Sequence, residues 1–335
     1  MPSATPTGPK PPSLLEVEDL SVSFGSLNIL NGVSFRLNPG ETLGIVGESG
    51  SGKSMTALAL MRLLPRGGQL NAKRLELQGE DMLSATETRL ESLRGAEIGM
   101  IFQEPMTALN PVLTVGAQIA ETARRHQNVS RAEARNRAIE ALRRVGIPSP
   151  EQRFYDYPHH MSGGMRQRVM IAMALICRPK LLIGDEPTTA LDVTIQAQIL
   201  DLMLDLQDEY HMGIILISHD LGVVSAFTDR VMIMYLGQVL EEASATDIFT
   251  NPRHPYTEAL LASIPELEGE PQRLNAIRGS VPPIHSQPAG CRFAPRCDHA
   301  RPVCETARPV LTPVGPGHRA ACIRNTGYRF QEPAR

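Results

Sequence analysis

Eight consecutive residues, Gly47-Glu48-Ser49-Gly50-Ser51-Gly52-Lys53-Ser54, restrict what this chain can become more than any other stretch. They fit G-x-x-x-x-G-K-S/T, a loop whose backbone N–H groups turn inward around a polyphosphate. Such a loop works only between a strand and a helix. Thr42 to Val46 before it reads as a short buried strand, and Met55 to Leu64 after it is helical in composition. That helix points its positive end at the phosphates. Gly47, Ser49, Gly50, Ser51 and Gly52 are expected to cradle them, Lys53 to reach the β- and γ-phosphates, and the Ser54 hydroxyl to ligate Mg²⁺. The chain therefore reads as a nucleoside triphosphate binder with an α/β fold of the P-loop type.

A length of 335 residues leaves room for about two domains. The formal charge of −3 supplies no field that gathers nucleic acid, and no nucleic-acid partner is expected. Residues 1–12, rich in Pro, Thr and Ser, lack the apolar core of a secretory leader and are expected to form a disordered tail. The strongest apolar run, Val169 to Cys177, falls far short of the roughly 20 residues of a spanning helix. Any membrane role then falls to partners.

Leu14 to Phe24, Gly32 to Leu37, Leu75 to Leu77 and Ile98 to Phe102 read as strands, the last ending at Gln103. Phe24 could stack on a nucleotide base or pack in a loop. Thr114 to Val145 is helical and rich in arginine, but Glu133 and Glu140 interleave with the bases and aromatics are absent, so solvated helix faces are expected. Ser162-Gly163-Gly164-Met165 then opens the helix Val169 to Cys177, a turn whose free N–H groups suit a second anion. Lys180 to Glu186 is a near-continuous apolar strand closed by two carboxylates. Its end is where α/β ligands sit, with Asp185 placed to hold Mg²⁺ and Glu186 to polarise an attacking water. Ile195, Ile199, Leu202 and Leu206 mark one face of the next helix. Gly213 to Ile217 is a further buried strand, and His219 beyond it falls on the same sheet edge as the carboxylates, in reach of a γ-phosphate. Val231 to Tyr235, Gln238 to Glu242 and a short helix at Ala245 to Phe249 close the domain.

Beyond Asn251-Pro252-Arg253-His254-Pro255-Tyr256 the chain is Pro-rich and reads as an irregular appendix. It holds four of the five cysteines: Cys291, Cys297, Cys304 and Cys322. Cys177, alone in an apolar helix, reads as an inert buried thiol. The intervals of five, six and seventeen residues match neither common zinc ribbons nor ferredoxins, so spacing leaves an iron–sulfur cluster, zinc and unliganded thiols all open.

Together these pieces resemble the ATP-binding subunits of ABC transporters. Gly47 to Ser54 matches the P-loop, Gln103 the Q-loop, Ser162 to Met165 the signature and Leu181 to Glu186 the Walker B strand. Thr189-Ala190-Leu191-Asp192 looks like the D-loop and His219 like the switch histidine. Phe24 stands where many members carry Tyr, and Met165 where many carry Gln. The His254-Pro255-Tyr256 stretch and the cysteine-rich tail are similar to the oligopeptide and dipeptide importer branch, and to its D-type ATPases in particular.

The resemblance implies a nucleotide-binding domain at 13–250 with a helical subdomain at about 104–178, and a C-terminal domain at 251–335. It implies ATP and Mg²⁺ as cofactors, with Gln103 joining Ser54 and Asp185 at the metal, and a 4Fe–4S cluster on the four cysteines. It further implies a heterodimer with an F-type ATPase, so that the signature of one chain and Asp192 complete the partner's site. Two membrane permease subunits, contacted through a groove at Met106 to Val115, and an extracytoplasmic peptide-binding protein complete the assembly, on the cytoplasmic face of the inner membrane. Nickel or another small solute is the alternative cargo. A soluble ABC ATPase of DNA repair or translation would carry two cassettes or a coiled-coil arm, and a small-molecule kinase would leave Ser162 to Gly164 and His219 without a task.

Overall fold

The computed structural model describes residues 13–103, 108–188, 191–264 and 277–331; the expected tail at 1–12 lies outside them. Thirteen strands among these residues form two sheets. In chain order they are β1 (Leu15–Phe24), β2 (Leu27–Leu37), β3 (Thr42–Val46), β4 (Gly68–Asn71), β5 (Arg74–Leu77), β6 (Glu80–Asp81) and β7 (Ile98–Ile101). They continue with β8 (Leu181–Asp185), β9 (Gly213–Ser218), β10 (Arg230–Tyr235), β11 (Gln238–Ser244), β12 (Thr312–Gly315) and β13 (His318–Ala320).

The smaller sheet is antiparallel, in the order β2-β1-β5-β6 with β4 also paired to β1. Leu15, Val17, Leu20 and Val22 of β1 are buried. Strict alternation would turn Leu20 outward. A left-handed Asp19 (φ 57°) inserts a bulge between Val17 and Leu20 and restores the inward face.

The larger sheet runs β12-β13-β11-β10-β3-β9-β8-β7, parallel from β10 to β7. Every residue of β3, β8 and β9 is buried. That is why these strands are continuous apolar runs rather than alternating ones. The helix Lys53–Leu60 follows β3, and the helix Val193–Tyr210 lies between β8 and β9, burying Ile199, Met203 and Leu206.

Three longer helices fill the stretch between β7 and β8: Val115–His126, Arg131–Arg144 and Gly163–Leu175. Thr114, Ser130 and Ser162 cap them, each accepting from the backbone N–H three residues on. Ile119, Ala138, Leu142, Val169 and Ile171 join one core. The arginines outside it pair with acids: Arg137 with Glu133 (2.8 Å), Arg143 with Glu140 and Glu151, and Arg144 with Glu209 (2.8 Å).

The irregular appendix expected after residue 250 needs correction. His254 caps a helix, Pro255–Ala262, and the hairpin β12–β13 extends the large sheet by pairing β13 with β11. Pro and charged residues hid these elements, because buried polar contacts to β11 join the apolar packing that holds them. Glu241, fully buried, meets His318 Nε2 at 2.7 Å and accepts from the His254 N–H at 2.9 Å, while Glu242 pairs with Arg319.

Candidate nucleotide site

Four parallel strands end side by side. Val46 of β3 pairs with Ser218 of β9, Asp185 of β8 with Ile217, and Ile101 of β7 with Gly184. The residues following each strand therefore meet at one edge. Ser49, Gly50, Ser51, Gly52, Lys53, Ser54, Gln103, Glu186 and His219 line a single cleft of about 600 Å³, as the α/β strand-end rule requires.

Two glycines make the loop possible. Gly52 sits at φ 101°, and a Cβ on Gly47 would lie 2.2 Å from the Met234 carbonyl oxygen. Lys53 is buried, its Nζ donating to the carbonyls of Gly47 (2.7 Å) and Glu48 (3.2 Å). Burial lowers its pKa, against the opposing pull of Glu186, Asp185 and Glu48. Ser54 Oγ donates to Asp185 Oδ1 at 3.0 Å. Burial raises the Asp185 pKa although the Ser54 bond works the other way.

Glu186 occupies the left-handed region (φ 49°), an uncommon posture for a non-glycine residue that is often found at reacting centres. Its N–H donates to the Ile217 carbonyl at 2.9 Å, which fixes the turn out of β8. Its carboxylate accepts from Gln103 Nε2 (3.0 Å) and lies 3.2 Å from His219 Nδ1. Glu186 thus touches both Gln103 and His219.

Ser162, Gly163, Gly164 and Asp192 are not among the residues lining that cleft. Ser162 and Gly163 are exposed at the start of Gly163–Leu175. Gly164 faces the Val193–Tyr210 helix, where its Cβ would lie 3.2 Å from Ile195, and Asp192 caps that helix by accepting from the Ile195 N–H (3.0 Å). The signature and Asp192 therefore form a second cluster. Thr189 and Ala190 of the expected D-loop lie outside the described residues, as do Met106 and Thr107 of the expected groove. Phe24 is half-buried, its ring tip near Gly68, and is not among the cleft's lining.

Ile29 and Ile284 line the cleft too, and sequence reasoning missed both. Ile284 comes from beyond residue 250, a region that carries no local sign of a nucleotide role.

All five cysteines are free thiols. Cys177 is raised to about 11 by burial, as suits an inert thiol. Cys291, Cys297, Cys304 and Cys322 line one pocket together with His254. Burial raises Cys291 to about 11 and pushes Cys297 and Cys322 the same way. Among the described residues no group of three or more His, Cys, Asp or Glu is drawn together tightly enough to hold a metal ion.

Residues 30–189 match the ABC transporter family, and residues 240–304 match the C-terminal region of oligopeptide/dipeptide transporters. The chain is 53% identical, over 93% of its length and 96% of the relative's, to the oligopeptide transport ATP-binding protein AppD of Bacillus subtilis. The chain belongs to the ATP-binding subunits of ABC oligopeptide/dipeptide transporters. The dipeptide transport ATP-binding protein DppD of Escherichia coli is 48% identical to this ABC ATPase over 92% of the chain and 96% of the relative. Among solved structures, cbiO1 of Clostridium perfringens, part of an ABC transporter complex, superposes with a TM-score of 0.63 at 28% identity, covering 72% of this chain and 92% of that one. A dimeric ATP-binding cassette in a post-hydrolysis state with ADP and Pi gives 0.60 at 26% identity, covering 69% and 98%. Among the described residues no helix of this ABC ATPase is long and apolar enough to cross a membrane.

Proposed function

We propose that this ABC ATPase powers uptake of di- and oligopeptides as one half of a two-ATPase engine. The observation that carries this reading is the separation of its two phosphate-binding elements. The cleft lined by Ser49 to Ser54, Gln103, Glu186 and His219 is one. Exposed Ser162 and Gly163, at a helix N-terminus that favours anions, are the other. A second ATPase subunit, F-type by resemblance, would bring its own glycine turn and D-loop to this cleft and receive Ser162, Gly164 and Asp192 in return. The dimeric cassette among the structural relatives supports that arrangement.

In this cleft the loop amides and Lys53 bind the phosphates, Lys53 exchanging its carbonyl partners for them. Phe24 is proposed to reach the base. Ser54, Asp185 and Gln103 would hold Mg²⁺, which would supply charge neutralisation for the polyphosphate. Glu186 orients the attacking water, and His219, beside it, senses the γ-phosphate. Loss of that phosphate weakens the link between the halves and lets them part.

Exposed Phe102, Leu113 and Val112, the last at 74% exposure, suit contact with two permease subunits; the chain would then sit on the cytoplasmic face of the inner membrane, in an assembly with a peptide-capturing external protein. Uptake of labelled di- and oligopeptides in a strain lacking the chain tests the reading. Restoration by the wild type but not by Glu186→Gln is expected; peptide uptake indifferent to the chain would sink it.

We further infer that the four cysteines hold a 4Fe–4S cluster. The resemblance carries this reading, and the four cysteines, which line one pocket, supply the four-thiolate set that such a cluster takes. His254 adds support. Its Nδ1 accepts from the Tyr256 N–H (3.0 Å), so the ring proton sits on Nε2, a buried donor without a partner at the same pocket. Brown protein with iron and sulfide after anaerobic purification is expected; colourless protein carrying zinc would overturn the assignment.

A further inference from the structure

Glu48, the second residue of the phosphate loop, has no role in the motif. In the folded chain its polar groups are nonetheless all engaged. Its N–H donates to Tyr256 Oη at 3.0 Å. Its carboxylate receives both Nη atoms of Arg296, at 2.6 and 3.1 Å. Its carbonyl accepts from the Ser51 N–H (3.1 Å) and from Lys53 Nζ (3.2 Å).

The partners are themselves fixed. The Arg296 side chain is 4% exposed, donates through Nε to the Arg278 carbonyl (2.9 Å), and lies over the rings of Tyr235 (5.8 Å) and Phe293 (6.0 Å). Burial opposes its charge, but the bonds it donates to Glu48 and Tyr235 more than compensate and raise its pKa. Tyr256 is fully buried, its ring centroid 4.7 Å from that of Tyr235 and 5.2 Å from that of Phe293.

We propose that Arg296 and Tyr256 are positioning residues for the phosphate loop, so that the region beyond residue 250 sets the shape in which nucleotide is bound. Neither side chain lines the cleft, so both act through Glu48. Holding Glu48 by its N–H and its carboxylate fixes the peptide planes on either side. Those planes carry the two carbonyls on which Lys53 rests. A bidentate guanidinium–carboxylate pair suits this task, because its planar fork allows one orientation where a lysine would allow many. Arg296 ends the turn Ala294–Arg296, directly before Cys297 and five positions after Cys291. The strand of chain that lines the cysteine pocket is thus the one that grips the phosphate loop.

A plain docking role would cost stability without changing nucleotide affinity, and the two are separable. Fluorescent-ATP titration of the full chain should show Arg296→Gln and Glu48→Gln each weakening binding about tenfold, the double variant little worse than either, and Arg296→Lys recovering part of the loss. Tyr256→Phe removes one oxygen from a packed ring and should weaken binding about threefold while lowering the Tm by only a few degrees. It decides the matter alone if the Arg296 variants fail to fold. Affinities within about twofold of wild type, or losses that simply add in the double variant, would overturn the proposal.

Discussion

Ser54 Oγ and Asp185 Oδ1 lie 3.0 Å apart, joining the end of the phosphate loop to the end of β8 across 131 positions of sequence. Asp185 is 6% exposed, and burial holds its pKa above the usual carboxylate range. The ionised form needed to meet a cation is therefore costly while no cation is present.

Asp185→Asn should accordingly abolish Mg²⁺-dependent hydrolysis and yet raise the Tm of the nucleotide-free protein at pH 7. The sign follows from linkage. A carboxylate whose pKa is raised by folding is destabilising above that pKa and neutral below its unfolded value of about 4. The gain in Tm should shrink toward zero as the pH approaches about 4, which differential scanning calorimetry across pH would read.

His254 offers the opposite case. Burial pushes its pKa down to about 3, so it stays neutral in the fold while the unfolded chain protonates near pH 6.5. Stability tied to it is full above that value and is lost as the pH falls toward 3. His254→Asn, which keeps an acceptor for the Tyr256 N–H, should flatten acid unfolding between about pH 6 and 4. An unchanged acid transition would assign that sensitivity to other groups.

Lys53 and Glu186 should separate binding from turnover. Lys53→Ala removes the charged contact proposed for the phosphates and should weaken ATP by about 10- to 100-fold in a fluorescent-ATP titration. Glu186→Gln keeps the hydrogen bond from Gln103 within reach but loses the base, so the complete complex should trap ATP with turnover down about 10²- to 10⁴-fold. Phosphate release at the wild-type rate would remove Glu186 from its role.

Much of the site was legible because its residues stand at strand ends. β3 was expected and found at Thr42 to Val46, and β8 and β9 agree within a residue, since strands buried on both faces leave unbroken apolar runs. Short elements were harder. β4, the helix Glu87–Leu93 and the hairpin β12–β13 have too few residues to show a period, and pairing or capping after collapse defines them. The grip on Glu48 was invisible for another reason. Tyr256 and Arg296 reach it across 208 and 248 positions, and no local pattern marks an arginine whose partner lies a whole domain away.

The account stands on the claim that one chain carries two half-sites which cannot meet within itself. Phosphate release measured for the isolated chain and for the assembled complex, each with and without Ser162→Ala, tests it most directly. The account predicts an isolated chain that binds ATP but hardly hydrolyses it, whatever residue stands at 162, and a complex that turns over fast until Ser162 is replaced. Full turnover by the monomer, or a complex indifferent to Ser162→Ala, would contradict it.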